Sequence, residues 1–426
     1  MIRAARDHLA WMFAPSRFLF GENRPDHFRV RGFETIAFID DPEELAAVNK
    51  ATGDLFLGGA GNEFLVALLG RKSAFTLDGE EHRLARKVMG HWLTARRMAE
   101  QQPEIDAIIA RNIDEWRTGG PRDIGDWSRF LTMQILCKIV LGIDDPDRVR
   151  KIFRRFEATT GYLANIVSYT RPFWTSKRHP SVGHVVEFLV RRVDNQLYAV
   201  IDEVRAQASE TPETPLEGLI AAQKEHGYDD VFIRDNIAAL LAAGYDTTGS
   251  ALSWTLYWLG QVGDTGHSAA AYRSEVLRYC PPVEILPRRI APERMHEACA
   301  AAPSVKAAIP TAGDQGPMVS PCVHRVHHDP SLYPDPERFD PNRFEERRGR
   351  SPNEYLPFGA GGRMCLGINL GKLIVDRTIE GLRSRDFSVA MKRARFAPIR
   401  RNVSIWPAIY LRGRLIPPLK KDTYHD

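Results

Sequence analysis

From residue 236 to residue 263 the chain carries a single charged side chain, Asp246. Extended to its polar flanks, the stretch 229–260 reads as one helix of about 30 residues, roughly 45 Å long at 1.5 Å per residue. A helix this apolar must be buried all round, in lipid or inside its own protein. An Asp near the centre of a lipid-facing helix is costly, so the expectation is a protein interior and no transmembrane anchor. That requires enough chain to wrap such a rod, and 426 residues suffice. With 43% hydrophobic and 26% charged residues, a disordered or fibrous chain is excluded. The balance of 58 Lys and Arg against 54 Asp and Glu is too even for a dedicated nucleic-acid binder. Five cysteines without a C-x-x-C pair argue against a disulfide framework or a Cys-rich zinc site, and for a reducing, cytoplasmic setting. The uncharged run 9–16 is too short for a secretory core followed by a span.

Periodicity predicts further helices at 80–93, 103–116, 127–141, 146–156, 185–206 and 269–279. Short strands are expected at 34–39 and near 403–411. Residues 298–321 read as an irregular Ala- and Pro-rich run, and 329–344 as a Pro-rich meander. The whole, 1–426, reads as one composite domain, mainly α with a small β region. Helices fill about 80–280 and 366–382, and small β or irregular regions fill about 28–60, 283–325 and 387–415.

The densest signal is the stretch from Phe358 to Gly367, FGAGGRMCLG. It is not a phosphate loop. A dinucleotide fingerprint from Gly359 needs Gly where Met364 stands, and a P-loop from Gly362 needs Lys where Ile368 stands. What remains is a flexible loop delivering Cys365 to the start of a helix. Free amides and partial positive charge at a helix N-terminus favour a thiolate. One thiolate without a neighbouring Cys or His does not make a zinc site but suits an axial ligand to haem iron. In the long helix, Ala243-Gly244-Tyr245-Asp246-Thr247-Thr248 places Gly, paired Thr and a buried Asp where propensity disfavours them. Ala239, Ala243 and Thr247 form a stripe of small residues suited to a flat cofactor, and the Thr247 hydroxyl can bond the carbonyl one turn back. Close helix packing accounts for the same residues.

The loop resembles, position for position, the haem-binding loop of the cytochrome P450 family, F-G-x-G-x-R-x-C-x-G. The resemblance implies haem b, with Cys365 as the proximal iron ligand, Arg363 on a propionate, Phe358 near the sulfur and Gly367 completing the loop. AGYDTT is similar to the family's oxygen-activation segment, A/G-G-x-D/E-T-T. It implies that Thr247 and Asp246 form an acid–alcohol pair for dioxygen and protons, with Ala243 beside the cofactor. Glu275 and Arg278, with Arg343 or else Arg338 in PERFDPNRF, resemble a structural Glu–Arg–Arg network. His82 and Arg86 resemble a propionate-holding H-x-x-x-R pair. Arg289 is a third clamp candidate, with Arg288 left open.

The family likeness thus implies a single haem domain with the cytochrome P450 fold, and an oxidoreductase. It would insert one oxygen atom from dioxygen into a lipophilic small molecule, by hydroxylation or epoxidation. The alternatives are oxidative coupling or peroxide use, and a non-catalytic haem-binding sensor or carrier. No flavin or iron–sulfur motif is present, so electrons would come from NAD(P)H through a reductase and a ferredoxin or flavodoxin. Arg83, Lys87, Arg96 and Arg97 either steer such an acidic partner or are ordinarily solvated. Substrate contacts are expected at 56–75, 162–174, the small-residue face of the long helix and 283–286, with 404–406 as a further one. The chain departs from the family where Thr247 and Glu275 lie only 28 positions apart, as though a helix were trimmed. It departs again at Ile374, where an acidic residue is usual.

Overall fold

The computed structural model describes residues 27–29, 35–161, 182–207, 211–309, 316–345, 350–391, 396, 398–401, 403–407 and 410–417. Its longer helices are α1 Pro42–Lys50, α2 Gly79–Gly90, α3 Ala95–Gly119, α4 Ile124–Leu141, α5 Pro146–Thr160 and α6 Val182–Ala206. They continue with α7 Pro215–His226, α8 Asp230–Val262, α9 Ala269–Tyr279, α10 Met295–Ala301 and α11 Ile368–Ser384. The strands are β1 His27–Arg29, β2 Thr35–Ile39, β3 Phe56–Leu57, β4 Arg122–Asp123, β5 Arg288–Ile290, β6 Met318–Pro321, β7 Ser388–Met391, β8 Ile399–Arg401, β9 Ser404–Trp406 and β10 Arg412–Ile416.

The long helix is the axis of the molecule. Asp229 caps α8 by accepting the Phe232 N–H at 2.9 Å, and Gly263, at φ +78°, ends it. Nearly every residue from Phe232 to Tyr257 is buried. α4 lies along it and is itself buried on most sides. Two glycines permit that approach. A Cβ on Gly244 would sit 2.8 Å from Leu136 of α4, and one on Gly249 would sit 3.1 Å from Arg129. The helix-breaking glycines therefore serve packing, whatever else their neighbours do.

Pro103 does not open its helix. α3 starts at Ala95, where Thr94 accepts the Arg97 N–H at 3.4 Å, and Pro103 lies inside it. Between α8 and α9 only residues 263–268 intervene, as the short spacing implied. Arg383 of α11 fixes Asp264 in this link at 2.6 Å. The run 298–321 is not irregular throughout. α10 and a 3-10 turn, Pro303–Ala307, bury Ala298, Ala302, Val305 and Ala308 at helical spacing.

Five short strands form a sheet in the order β1-β2-β6-β5-β3, in which β2 and β6 are parallel and the other pairs antiparallel. It has its own apolar cluster, including Ile39, Leu45, Phe56, Ile290 and Val319. A second sheet runs β4-β10-β7, and β8 and β9 make a hairpin that pairs Arg401 with Ser404.

The loops leading to Cys365 are tied down by a fully buried acid. Glu275 of α9 receives Arg278 Nε and Nη2, each at 2.8 Å. It also accepts the Asp340 N–H at 2.8 Å and lies 3.6 Å from Arg343 Nε. Arg278 reaches on to the carbonyls of His327 at 2.9 Å and Arg338 at 3.2 Å. Arg343 is therefore the second arginine of the network, while the side chain of Arg338 is 70% exposed. Glu275→Ala strips a buried arginine of its partner, so a loss of about 3–5 kcal/mol is expected in chemical denaturation. A loss below about 1 kcal/mol would reduce the network to the rank of a surface pair.

Candidate functional site

Two glycines shape the cysteine loop. Gly359 and Gly361 adopt φ of +68° and +64°, and a Cβ on Gly361 would lie 2.2 Å from the Asn49 carbonyl oxygen. The turn Gly361–Arg363 follows, and Gly367 caps α11. The Cys365 N–H donates to the Phe358 carbonyl at 2.8 Å. Arg86 of α2 donates to the Met364 carbonyl at 2.6 Å. Burial pushes the Cys365 thiol up, and the Gly367 N–H and the Arg86 charge oppose it. The helix end thus favours the thiolate as expected, but desolvation outweighs it. The same residue is exposed by surface area.

Beside the loop, three arginines gather around a buried, neutral histidine. His82 and Arg86 come from α2, Arg288 from β5 and Arg363 from the loop. Burial, then Arg363, Arg86 and Arg288, pull His82 down to about 3. Burial, then Arg363, pull Arg288 down to about 10. Arg363 donates to the carbonyls of Ala74 at 2.9 Å and Leu77, and to Asp78 at 2.6 Å. The buried Nε atoms of Arg288 and Arg363 have no hydrogen-bond partner. Three guanidinium groups crowd His82, and Asp78 faces only two of them, Arg288 and Arg363; the arrangement is unbalanced, and carboxylates are the groups that such donors hold best. The cluster therefore fits the two propionates of a haem. Strand alternation puts Arg289 on the other side of β5, where it donates to the Gly316 carbonyl at 2.8 Å. Arg288, not Arg289, joins the cluster.

The opposite wall is α8. Within its buried stretch, Leu240, Ala243, Gly244, Thr247 and Thr248 are partly exposed. Their spacing of three and four puts them on one face. Ala239, expected on this stripe, is buried instead. Thr247 Oγ1 donates to the Ala243 carbonyl at 2.7 Å, as expected. A Cβ on Gly371 of α11 would lie 3.7 Å from Thr248 Oγ1 and 3.8 Å from Phe358. The helix that follows Cys365 thus abuts α8 next to Thr247.

Asp246 does not share that face. It is 2% exposed and turned toward the β8–β9 hairpin, where Arg401 and Ser404 donate to its two oxygens. Arg401 also donates to Glu157 of α5 at 2.8 Å. None of the hydrogen bonds of Asp246 goes to Thr247. Arg401 and Glu157 escaped sequence reasoning, and Ser404, expected in a substrate-contact segment at 404–406, is buried against Asp246 instead. The one available signal was the pair Arg400-Arg401 in an apolar region. Glu284, expected among substrate contacts, is fully buried in an ion pair with Arg400.

The expected contact segment 162–174 lies outside the described residues. The basic residues near α2 share their charge: Arg83 pairs with Glu80 at 2.5 Å, and Arg96 and Arg97 approach Glu100 at 3.1 and 3.5 Å. Among the described residues no three His, Cys, Asp or Glu side chains converge to hold a metal ion. No described helix is long and apolar enough to cross a membrane.

The family model described as "Cytochrome P450" matches residues 27–264 and 271–379. Its gap falls on the short link before α9. A relative named putative cytochrome P450 135B1, from Mycobacterium tuberculosis, is 30% identical over 366 residues, covering 79% of this chain and 73% of the relative. Cyclooctat-9-en-7-ol 5-monooxygenase from Streptomyces melanosporofaciens is 27% identical over 316 residues, covering 68% and 66%. Among solved structures, retinoic acid-bound cyanobacterial CYP120A1 superposes with a TM-score of 0.73 at 23% identity, over 92% of this chain and 91% of that one. The Tepidiphilus thermophilus P450 haem domain gives 0.70 at 20% identity, over 95% and 94%. A cysteine loop shaped by two left-handed glycines, an arginine cluster fitted to carboxylates and a matched family model thus agree: the chain belongs to the cytochrome P450 family and is a haem-dependent monooxygenase.

Proposed function

We propose that this chain is one haem b domain that oxygenates a lipophilic small molecule by hydroxylation or epoxidation. Electrons come from NAD(P)H through a separate reductase and a ferredoxin or flavodoxin. The observation that carries the reading is the placement of Cys365. It ends a turn pinned by the Phe358 carbonyl, next to the arginine cluster, in a loop whose following helix abuts the one partly exposed face of α8. Two names support a lipophilic substrate. One relative is named for a cyclooctatenol, and one structural neighbour is described with retinoic acid bound. Five free cysteines support a reducing, cytoplasmic setting.

In this reading Cys365 is the iron ligand. Its backbone N–H is spent on Phe358, which fixes the loop, and the Gly367 N–H favours the charged sulfur. Arg363, Arg288, His82 and Arg86 hold the propionate edge, with Arg288 replacing Arg289. When bound, the haem supplies dioxygen activation and transfer of one oxygen atom. The protein supplies position and protons. Ala243 leaves room beside α8, and Thr247 presents a hydroxyl on that face. Asp246 acts behind it as the acid that exchanges protons with solvent.

Cys365→Ser is expected to abolish the strongly red-shifted Soret band of the reduced carbon-monoxide complex. A variant that kept it would place the ligand elsewhere. Arg288→Gln removes a charged donor worth about 1.5–3 kcal/mol, so haem transfer to an acceptor protein should speed up about tenfold or more, while Arg289→Gln changes it little. Equal rates would refute the assignment of Arg288. Thr247→Ala should retain haem and release a several-fold larger share of consumed dioxygen as hydrogen peroxide. An unchanged share would remove Thr247 from proton delivery.

A further inference from the structure

Adjacent arginines on β8 face opposite ways, as strand residues do. Arg400 pairs with Glu284, and Arg401 with Asp246, and all four side chains are at most 2% exposed. The second pair has a shape that simple neutralisation does not need. Arg401 forks between two carboxylates, reaching Asp246 through Nη1 and Glu157 through Nη2. Ser404, its partner in the hairpin register, donates to the other oxygen of Asp246. Ser404 is held in turn by the Trp406 indole N–H at 2.9 Å. The Trp406 ring lies 4.9 Å from the Arg129 guanidinium and 5.8 Å from that of Arg401. Both oxygens of Asp246 are thus engaged by one hairpin. A carboxylate so engaged is an acceptor only, and it points away from the face that carries Thr247.

Among the described residues, charged and titratable groups reach this centre from four elements. The hairpin gives Arg401 and Ser404, α5 gives Glu157, α4 gives Arg129 at 3.1 Å from Glu157, and α8 gives Tyr245. Burial alone would weaken the Arg401 charge, but Tyr245, Asp246 and Glu157 together strengthen it. The cation is secure, and the acid depends on it.

Resting on the reading of Asp246 as the proton-delivering acid, we propose that Arg401, seated by Glu157 and assisted by Ser404, is a positioning residue for Asp246. The hairpin, and not the helix, sets the orientation and charge of the acid. Without the guanidinium, a buried carboxylate keeps only a hydroxyl donor, and its protonated form is favoured. Lysine restores the charge without the fork.

The test uses the haem-loaded protein, driven by NADPH through a surrogate ferredoxin and its reductase. The share of consumed dioxygen released as peroxide is followed from about pH 6 to about pH 9, the range over which a relay acid must exchange. Arg401→Gln should raise that share several-fold and move the pH midpoint up by about one unit or more. Arg401→Lys should hold the midpoint near that of the parent. Thermal melting gives a readout independent of turnover. In R401Q an acid with a raised folded value must ionise as pH rises, so stability is lost toward high pH. Adding Asp246→Asn should cancel that loss. Should R401Q fail to retain haem, Ser404→Ala carries the test, with a smaller midpoint shift in the same direction. R401Q or, in that case, S404A profiles matching the parent would overturn the proposal. A D246N protein with the parent's peroxide profile would instead overturn the reading of Asp246 on which it rests.

Discussion

The burial of one carboxylate at the middle of α8 conditions much of the architecture. An uncompensated charge there would cost several kcal/mol, and the helix offers nothing within its own apolar length to offset it. Compensation comes from about 155 positions later in sequence, where β8 brings Arg401 against Asp246. The C-terminal hairpin must therefore dock on α8 for the core to be electrically sound. Once it docks, Ser250 and Trp254 of α8 also donate to the Ile405 carbonyl, at 2.6 and 2.8 Å. The helix is enclosed by α4 and by this hairpin, and α9 and α11 pack on it as well. The face left partly open is the one that carries Ala243 and Thr247.

The two sides of the interior differ in electrostatic kind. Around Asp246 the charges interleave: Arg401 meets two acids, and Glu157 meets two arginines. Around Arg363 they do not: Arg86, Arg288 and Arg363 crowd His82 with Asp78 as the acid among them. The balanced centre fixes the hairpin against α8. The other carries more guanidinium than carboxylate charge, as a site for anionic groups would. Haem has both characters in one molecule, a flat apolar ring and two carboxylates at one edge. The arrangement follows that division.

What was legible in the sequence was local. The cysteine loop could be read because its glycines answer to backbone geometry, a positive φ at Gly359 and a carbonyl pressed against Gly361. The α8 helix could be read because burial on all sides leaves a long uncharged run. The network of Glu275 could be read from order along the chain. The partners of Asp246 could not, because Arg401 and Glu157 lie on other elements and nothing in their spacing announces the meeting. Arg288 and Arg289 differ only by which face of β5 they take, and that depends on the pairing of β5 with β6. Pro103 misled because proline suits a first turn, yet the Thr94 cap two turns earlier won.

The hairpin also explains why Glu284 is charged in a segment otherwise suited to apolar contact. With Arg401 committed to α8, the adjacent Arg400 is forced to the opposite face by strand geometry and would be stranded in the interior. Glu284, just beyond the Pro281-Pro282 end of α9, meets it there. One ion pair thus entails the other. The second also anchors the segment 283–286 that leads into β5 and so to Arg288. The hairpin therefore touches both ends of the site, the acid behind the open face of α8 and the strand that carries a member of the cation cluster. A disturbance of its docking reaches Asp246 on α8 directly and Arg288 through β5, although no residue of the hairpin belongs to the cysteine loop.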